Sequence, residues 1–143
     1  MVKVLVVDDA KPIREALREL LEEEGYAVEE ARDGYEALAA LERAEGPYVV
    51  LLDLVMPRLS GEAVLRAIAA RPDWEGRHAV LLLTGRHEAA RGELAALLQA
   101  TGAGVLEKPF DLQVLCEAVL RAHVGLAARR SLGVQPRFGL SPG

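Results

Sequence analysis

The chain has 143 residues, 51% of them hydrophobic and 27% charged, with a formal net charge of −5 at pH 7. This length suits one domain that buries roughly two-thirds of its unfolded surface. The acidic balance argues against nucleic-acid binding by the domain as a whole, and no apolar run approaches the roughly 20 residues that span a bilayer.

MVKVLVVDD opens the chain as a strand at about 2–7, without the apolar core or cleavage site of a signal peptide. A helix is predicted at about 12–24, with Pro12 suited to its start, Gly25 to its end, and an apolar stripe of Ile13, Leu17, Leu20 and Leu21. A strand at about 26–31 follows, then a helix at 34–45 that turns Ala37, Leu38 and Leu41 inward until Gly46-Pro47 breaks it. The third strand is 48–52, and the loop DLVMPRLSG after it carries Pro57 and Gly61 as turn residues. Ser60 is placed to cap a helix running to about 70, with Val64, Leu65 and Ile68 inward. RPDWEGRH is a loop before a fourth strand at 79–83. The fourth helix, about 88–101, buries Leu94, Leu97 and Leu98 and ends at Gly102; a short strand occupies about 104–107. Asp111 is the expected N-cap of the last helix, which continues to about 124 or slightly beyond. Cys116 falls on its apolar face with Leu112, Leu115 and Val119, as a buried structural thiol. As the only cysteine it excludes an intrachain disulfide, and a reducing cytoplasm is the expected setting.

Alternating strands and helices with right-handed crossovers make a three-layer α/β sandwich with a parallel sheet. After Val124 the pattern dissolves into a stretch rich in Gly, Pro and Arg. Residues 124–143 carry +3 and residues 1–123 carry −8, so the division is a domain at 1–123 and a flexible, solvated tail at 124–143. Five residues stand at the ends of apolar runs: Asp8 and Asp9 after VKVLVV, Asp53 after YVVLL, Thr84 after AVLLL, and Lys108 after GVLE. Open α/β sheets bind ligands outside the carboxyl ends of their strands, so these side chains arrive at one edge as a candidate site.

The four pieces VLVVDD, LLDLVMPRLSG, LLLTG and EKPF, in that order on an alternating chain, resemble the receiver domain of two-component response regulators, the CheY-like family. The resemblance covers residues 1 to about 123. It implies a (βα)5 flavodoxin-like sandwich with strand order 2-1-3-4-5, the order for which this family is a standing example, so that strands one and three are neighbours. It further implies that Asp9 and Asp53 ligate Mg²⁺ directly, that Asp8 acts through water, and that the backbone carbonyl of Val55 is another ligand. Asp53 is then the nucleophile that takes a phosphoryl group, with Lys108 and Thr84 on its oxygens, and Lys108–Pro109 is a cis bond. Physical chemistry agrees on the metal. Three close carboxylates repel, and a hard cation with oxygen ligands relieves them.

The sequence departs from the family pattern in places. The residue three before Lys108, often Tyr or Phe, is Val105, which has no ring to swing between buried and exposed positions. The expected readout therefore shifts to backbone movement of the 85–90 loop and the fourth helix. The Thr84-to-Lys108 spacing is slightly long, which points to an extended or displaced fourth helix. Val55 offers no hydrogen bond to align an attacking water, and Arg86 is placed to shield a phosphate, so self-dephosphorylation is expected to be slow. His87-Glu88 faintly suggests a phosphoacceptor box or a metalloprotease helix, but Arg91 stands where a second metal-binding His belongs. His78 and His123 show no ligand spacing and are assigned surface roles.

The leading reading is a stand-alone, cytoplasmic, phosphorylation-controlled interaction module. Its partners are a histidine kinase or phosphotransfer protein and a downstream effector protein; a homodimer through helices four and five is left open. Neither nucleic acid nor membrane is expected as a partner of this domain, and no turnover enzyme is expected. A haloacid-dehalogenase-like phosphatase wants an acid two residues after the nucleophile, where Val55 stands. The alternative is the truncated N-terminal receiver of a larger DNA-binding regulator.

Overall fold

The structure, a computed structural model, describes residues 2–74, 76–85 and 92–131, with side chains described as far as 128. Five strands, β1 (Lys3–Val7), β2 (Val28–Ala31), β3 (Tyr48–Asp53), β4 (Ala79–Thr84) and β5 (Gly104–Glu107), form one parallel sheet in the order β2-β1-β3-β4-β5. The helices between and after them are α1 (Lys11–Glu23), α2 (Gly34–Glu42), α3 (Gly61–Ala69), α4 (Gly92–Thr101) and α5 (Leu112–Ser131). The three-layer sandwich and its strand order are those expected.

Both faces of the sheet are covered, which explains the unbroken apolar runs of the central strands. Alternate side chains take alternate faces. Leu5, Val7, Val50, Leu52 and Leu82 pack with Leu41, Leu65 and Leu94 of α2, α3 and α4. Val4, Val6, Val49, Leu51, Leu81 and Leu83 pack with Leu17, Leu21, Leu115 and Val119 of α1 and α5. All six residues of β3 are buried. Each buried Leu or Val contributes roughly 1.5–3 kcal/mol of transfer free energy, so the central strands anchor the domain.

Local signals set the helix ends. Ser60 Oγ accepts from the Ala63 amide at 3.1 Å and an Asp111 carboxylate oxygen from the Gln113 amide at 2.8 Å, the two caps expected. Asp33 caps α2 by accepting from the Glu36 amide at 2.9 Å, a cap the sequence reading did not single out. Gly25 and Gly102, at φ 97° and 71°, close α1 and α4 in the left-handed region that favours glycine.

Several expectations need correction. Ile13 lies on the same stripe as Leu17 and Leu20 but is 50% exposed. It sits in the first turn of α1, at the end of β1, where no sheet lies beneath it. Leu112 is likewise exposed in the first turn of α5, while Leu115 and Val119 are fully buried and Cys116 is half-buried. The helix α5 continues to Ser131, farther than the end expected at about 124 or slightly beyond, because Leu126 is still buried against the sheet and the AARR stretch is a good helix former. The start expected for the fourth helix lies outside the described residues.

The largest correction concerns the histidines. His78 is buried, not at the surface. Its Nδ1 accepts the Tyr48 amide at 3.0 Å, and its ring packs against Tyr48 and edge-on to Trp74. His123 is half-buried and packs edge-on to Tyr26. Loop residues fold back under the amino end of the sheet, which a polar, turn-rich sequence does not announce.

Burial, aided by Arg77, pushes the His78 imidazole down to about 4 from its ordinary 6.5. A base held below its unfolded value binds fewer protons when folded, so its stability is complete above about 6.5 and is lost as pH falls toward 4. Between pH 7 and pH 5 this amounts to about 2 kcal/mol. Urea unfolding at the two pH values should show that loss in the wild type, and His78→Gln should show correspondingly less.

Candidate functional site

The strand order places the chemistry. Val7 pairs with Leu52, so the next residues, Asp8 and Asp53, emerge side by side from β1 and β3. Asp53 pairs with Leu83, and Thr84 with Glu107, so Thr84 lies one step beyond Asp53 in register and Lys108 two. A long side chain is needed to return from there. Lys108 Nζ donates to Asp53 Oδ1 at 2.9 Å. The Lys108 amide donates to the Thr84 carbonyl at 2.7 Å, and the Lys108–Pro109 peptide is cis.

Asp8, Asp9 and Asp53 each present a carboxylate oxygen within 4.8 Å of the others. Asp8 and Asp53 are buried at 2% and 5% exposure, and Asp9 is open to solvent. Burial raises the Asp8 carboxyl above its ordinary value, and the charges of Asp53 and Asp9 add to that. The Ala10 amide, which donates to Asp8 Oδ1 at 2.9 Å, and the Lys108 ammonium pull the other way. A donor set made only of carboxylate oxygens, pre-assembled and partly desolvated, suits a hard divalent cation.

Thr84 is 1% exposed, and its hydroxyl donates to the Gly85 carbonyl at 3.2 Å. Val105, paired with Leu82 on the edge strand, is 38% exposed. Val55, two residues after Asp53, is exposed beside the site. Arg86, with His87, Glu88 and Arg91, lies outside the described residues. The structure thus brings together Asp8, Asp9, Asp53 and Lys108, with Thr84 on the neighbouring strand end.

Other residues that build the site were not singled out for it. Gly61 was read only as a turn residue. Its amide donates to the Leu54 carbonyl at 2.9 Å, and a Cβ there would stand 2.3 Å from the Asp53 carbonyl oxygen. Glycine is needed so that α3 can start against the backbone of Asp53. Arg58, at φ 70°, reaches back to Asp33 at 3.3 Å and lies over Tyr35, tying the loop after β3 to the start of α2. A Gly eight residues after an acid at a strand end was the one available signal.

The match of a family model, the response regulator receiver domain, runs over residues 4–120. The chain belongs to the response regulator receiver family. The receiver is 41% identical over 114 residues to response regulator MprA of Mycolicibacterium vanbaalenii, covering 80% of this chain and 47% of that protein. It therefore spans about half the length of the curated relatives it matches. Among solved structures, the receiver resembles a CheY-like receiver domain protein from Methanospirillum hungatei, with TM-score 0.74 and 27% identity over 87% of this chain and 96% of that one. It also resembles chemotaxis protein CheY4 of Vibrio cholerae, with TM-score 0.71 and 34% identity over 85% and 98%.

Two outcomes follow from this geometry. Without divalent cation at pH 7, Asp8→Asn should raise the urea midpoint of the receiver. A carboxyl held above its unfolded value loses stability as pH rises through that window, and the amide removes the repulsion. Gly61→Ala should lower stability by about 1–3 kcal/mol, because backbone cannot yield to the added methyl as a flexible side chain would.

Proposed function

We propose that this receiver takes a phosphoryl group on Asp53 from a phosphohistidine donor, a histidine kinase or phosphotransfer protein, and signals by binding another protein. The observation that carries the reading is the buried Asp53 carboxylate, held by Lys108 at 2.9 Å within a cluster of three acids. A carboxylate oxygen of Asp53 attacks phosphorus, the phosphorus–nitrogen bond of the donor breaks, and the leaving imidazole nitrogen keeps the electron pair and takes up a proton. Lys108 lies in place to follow the charge from the carboxylate onto a phosphoryl oxygen, and Thr84 is on the adjacent strand end to donate its hydroxyl to another.

Asp8, Asp9 and Asp53 would hold Mg²⁺, with the Val55 carbonyl as a further ligand. When bound, the cation supplies neutralisation of charge on the transferring group. The chain's own contribution is to hold the three acids close and Asp53 desolvated, so that little rearrangement is needed at transfer. A domain with this site is a signalling element, and its chemistry is confined to gaining and losing the phosphoryl group on Asp53.

Val105 makes the aromatic half of the usual switch unavailable, so the signal is read through the backbone after Thr84 and the α4 face. The effector, or a second copy, would dock on α4, β5 and α5, where Val105 and Val114 are exposed. The single cysteine supports a cytoplasmic setting, and no described helix is long and apolar enough to cross a membrane.

Receivers such as the Methanospirillum protein are matched over nearly their whole length, which supports a stand-alone module. The second reading, an N-terminal receiver joined to a DNA-binding output domain, is favoured by relatives of about twice the length. An immunoblot of native extract beside the recombinant 143-residue chain separates them by size.

Incubation with radiolabelled acetyl phosphate and Mg²⁺ should label the wild type and leave Asp53→Asn unlabelled; EDTA should abolish the label. Label on Asp53→Asn would sink the assignment. Val55→Asn, which supplies a hydrogen bond for the attacking water, should shorten the phosphoprotein half-life several-fold in a chase experiment.

A further inference from the structure

We propose that Arg14 is a positioning residue of the acidic site, orienting the Asp8–Asp9 peptide so that both carboxylates converge with Asp53 on a divalent cation. The inference rests on the cation-binding reading given above. Arg14 lies in the first turn of α1, and its side chain is only 13% exposed. Its Nη1 donates to the Asp8 carbonyl at 2.8 Å and its Nε donates to Glu30 at 2.8 Å. The strand β1 ends at Val7, so the Asp8 carbonyl falls beyond the last ladder pairing and needs a partner from elsewhere. The rest of Asp8 is already held: its amide donates to the Ala31 carbonyl at 3.1 Å, and its Oδ1 accepts from Ala10 at 2.9 Å. With the carbonyl gripped as well, the peptide joining Asp8 to Asp9 cannot rotate freely. The Arg14 amide closes the loop by donating to the Ala10 carbonyl at 2.9 Å. Asp9, the exposed acid, thus stands between two residues anchored to α1 and β2.

The anchor is itself braced from the neighbouring strand. Glu30 on β2 takes Arg14 on one carboxylate oxygen and Arg18 on the other, each at 2.8 Å, and Arg18 continues to Glu22 at 3.1 Å. The two arginines hold the Glu30 carboxyl below its ordinary value. Arginine suits this place because one rigid planar group donates in two directions at once. A lysine ammonium on a flexible stem does not reproduce that fork.

Two physical effects of removing Arg14 have opposite signs, which makes the idea decidable. If Arg14 acted only through its charge, removing a cation near three carboxylates would tighten cation binding. If it positions the acids, removal weakens binding, in the range of about tenfold or more known for groups that orient metal ligands. The experiment titrates Mg²⁺ into the full 143-residue chain by calorimetry, comparing wild type, Arg14→Ala, Arg14→Lys and Asp53→Asn, with circular dichroism to verify folding. Arg14→Ala should weaken Mg²⁺ binding about tenfold, and Arg14→Lys should not restore it. Amide hydrogen exchange in EDTA should be faster at Asp9 and Ala10 in Arg14→Ala and unchanged in β3 and β4. Mg²⁺ affinity equal to or tighter than wild type in a folded Arg14→Ala would overturn the proposal. If the wild type takes up no Mg²⁺, the cation reading fails instead. The exchange measurement then decides alone: acceleration at Asp9 and Ala10 supports the positioning role, and unchanged rates overturn it.

Discussion

Mutual repulsion among three carboxylates at adjoining strand ends, two of them buried, is the constraint on which the rest of this receiver depends. Such a cluster is unfavourable by itself, because two of the acids are desolvated beside neighbours of like charge. It persists because the surrounding sheet is over-determined. The β1 and β3 strands are buried on both faces and locked in register by their apolar side chains, so Asp8 and Asp53 have nowhere to go. Electrostatic tension of this kind favours the arrival of a charge-compensating cation.

Lys108 shows how the fold moderates that tension without removing it. It pairs with one oxygen of Asp53, yet its side chain is 41% exposed and on a flexible stem. A point charge of that kind can follow charge as it moves, whereas a rigid, buried partner would resist it. Around the acids the supports are stiffer. Gly61 lets α3 begin against the Asp53 backbone, Arg58 ties the next loop to the start of α2, and Arg14 grips the Asp8 carbonyl from α1. Mobile charge on rigid mounting is the general arrangement of the site.

The amino end of the sheet is built differently. There His78 is buried neutral beneath Tyr48 and Trp74, and Tyr48 bonds to Glu29, with burial and that contact raising its phenol to about 12. These groups hold one protonation state at neutral pH. Among the described residues the titratable groups are therefore polarised: clustered carboxylates at one end of the strands, polar side chains locked into the fold at the other.

Much of this was legible in the amino-acid sequence, because strands buried on both faces must be continuous apolar runs and the residue that ends each run is conspicuous. Asp8, Asp53, Thr84 and Lys108 were readable on that ground, as were the caps at Ser60 and Asp111, where the signal and its effect lie three or fewer residues apart. What sequence could not determine depends on contacts between distant segments. That His78 is buried, that Ile13 faces solvent on an otherwise inward stripe, and that α5 runs to Ser131 follow from where the sheet ends and which loops fold back under it. The same holds for Arg14 and Gly61, whose work is done on backbone atoms, and for Arg58, which meets the distant side chains of Asp33 and Tyr35. A one-dimensional pattern records what a residue is; what a guanidinium or a missing Cβ lies against is decided only when the strands pair.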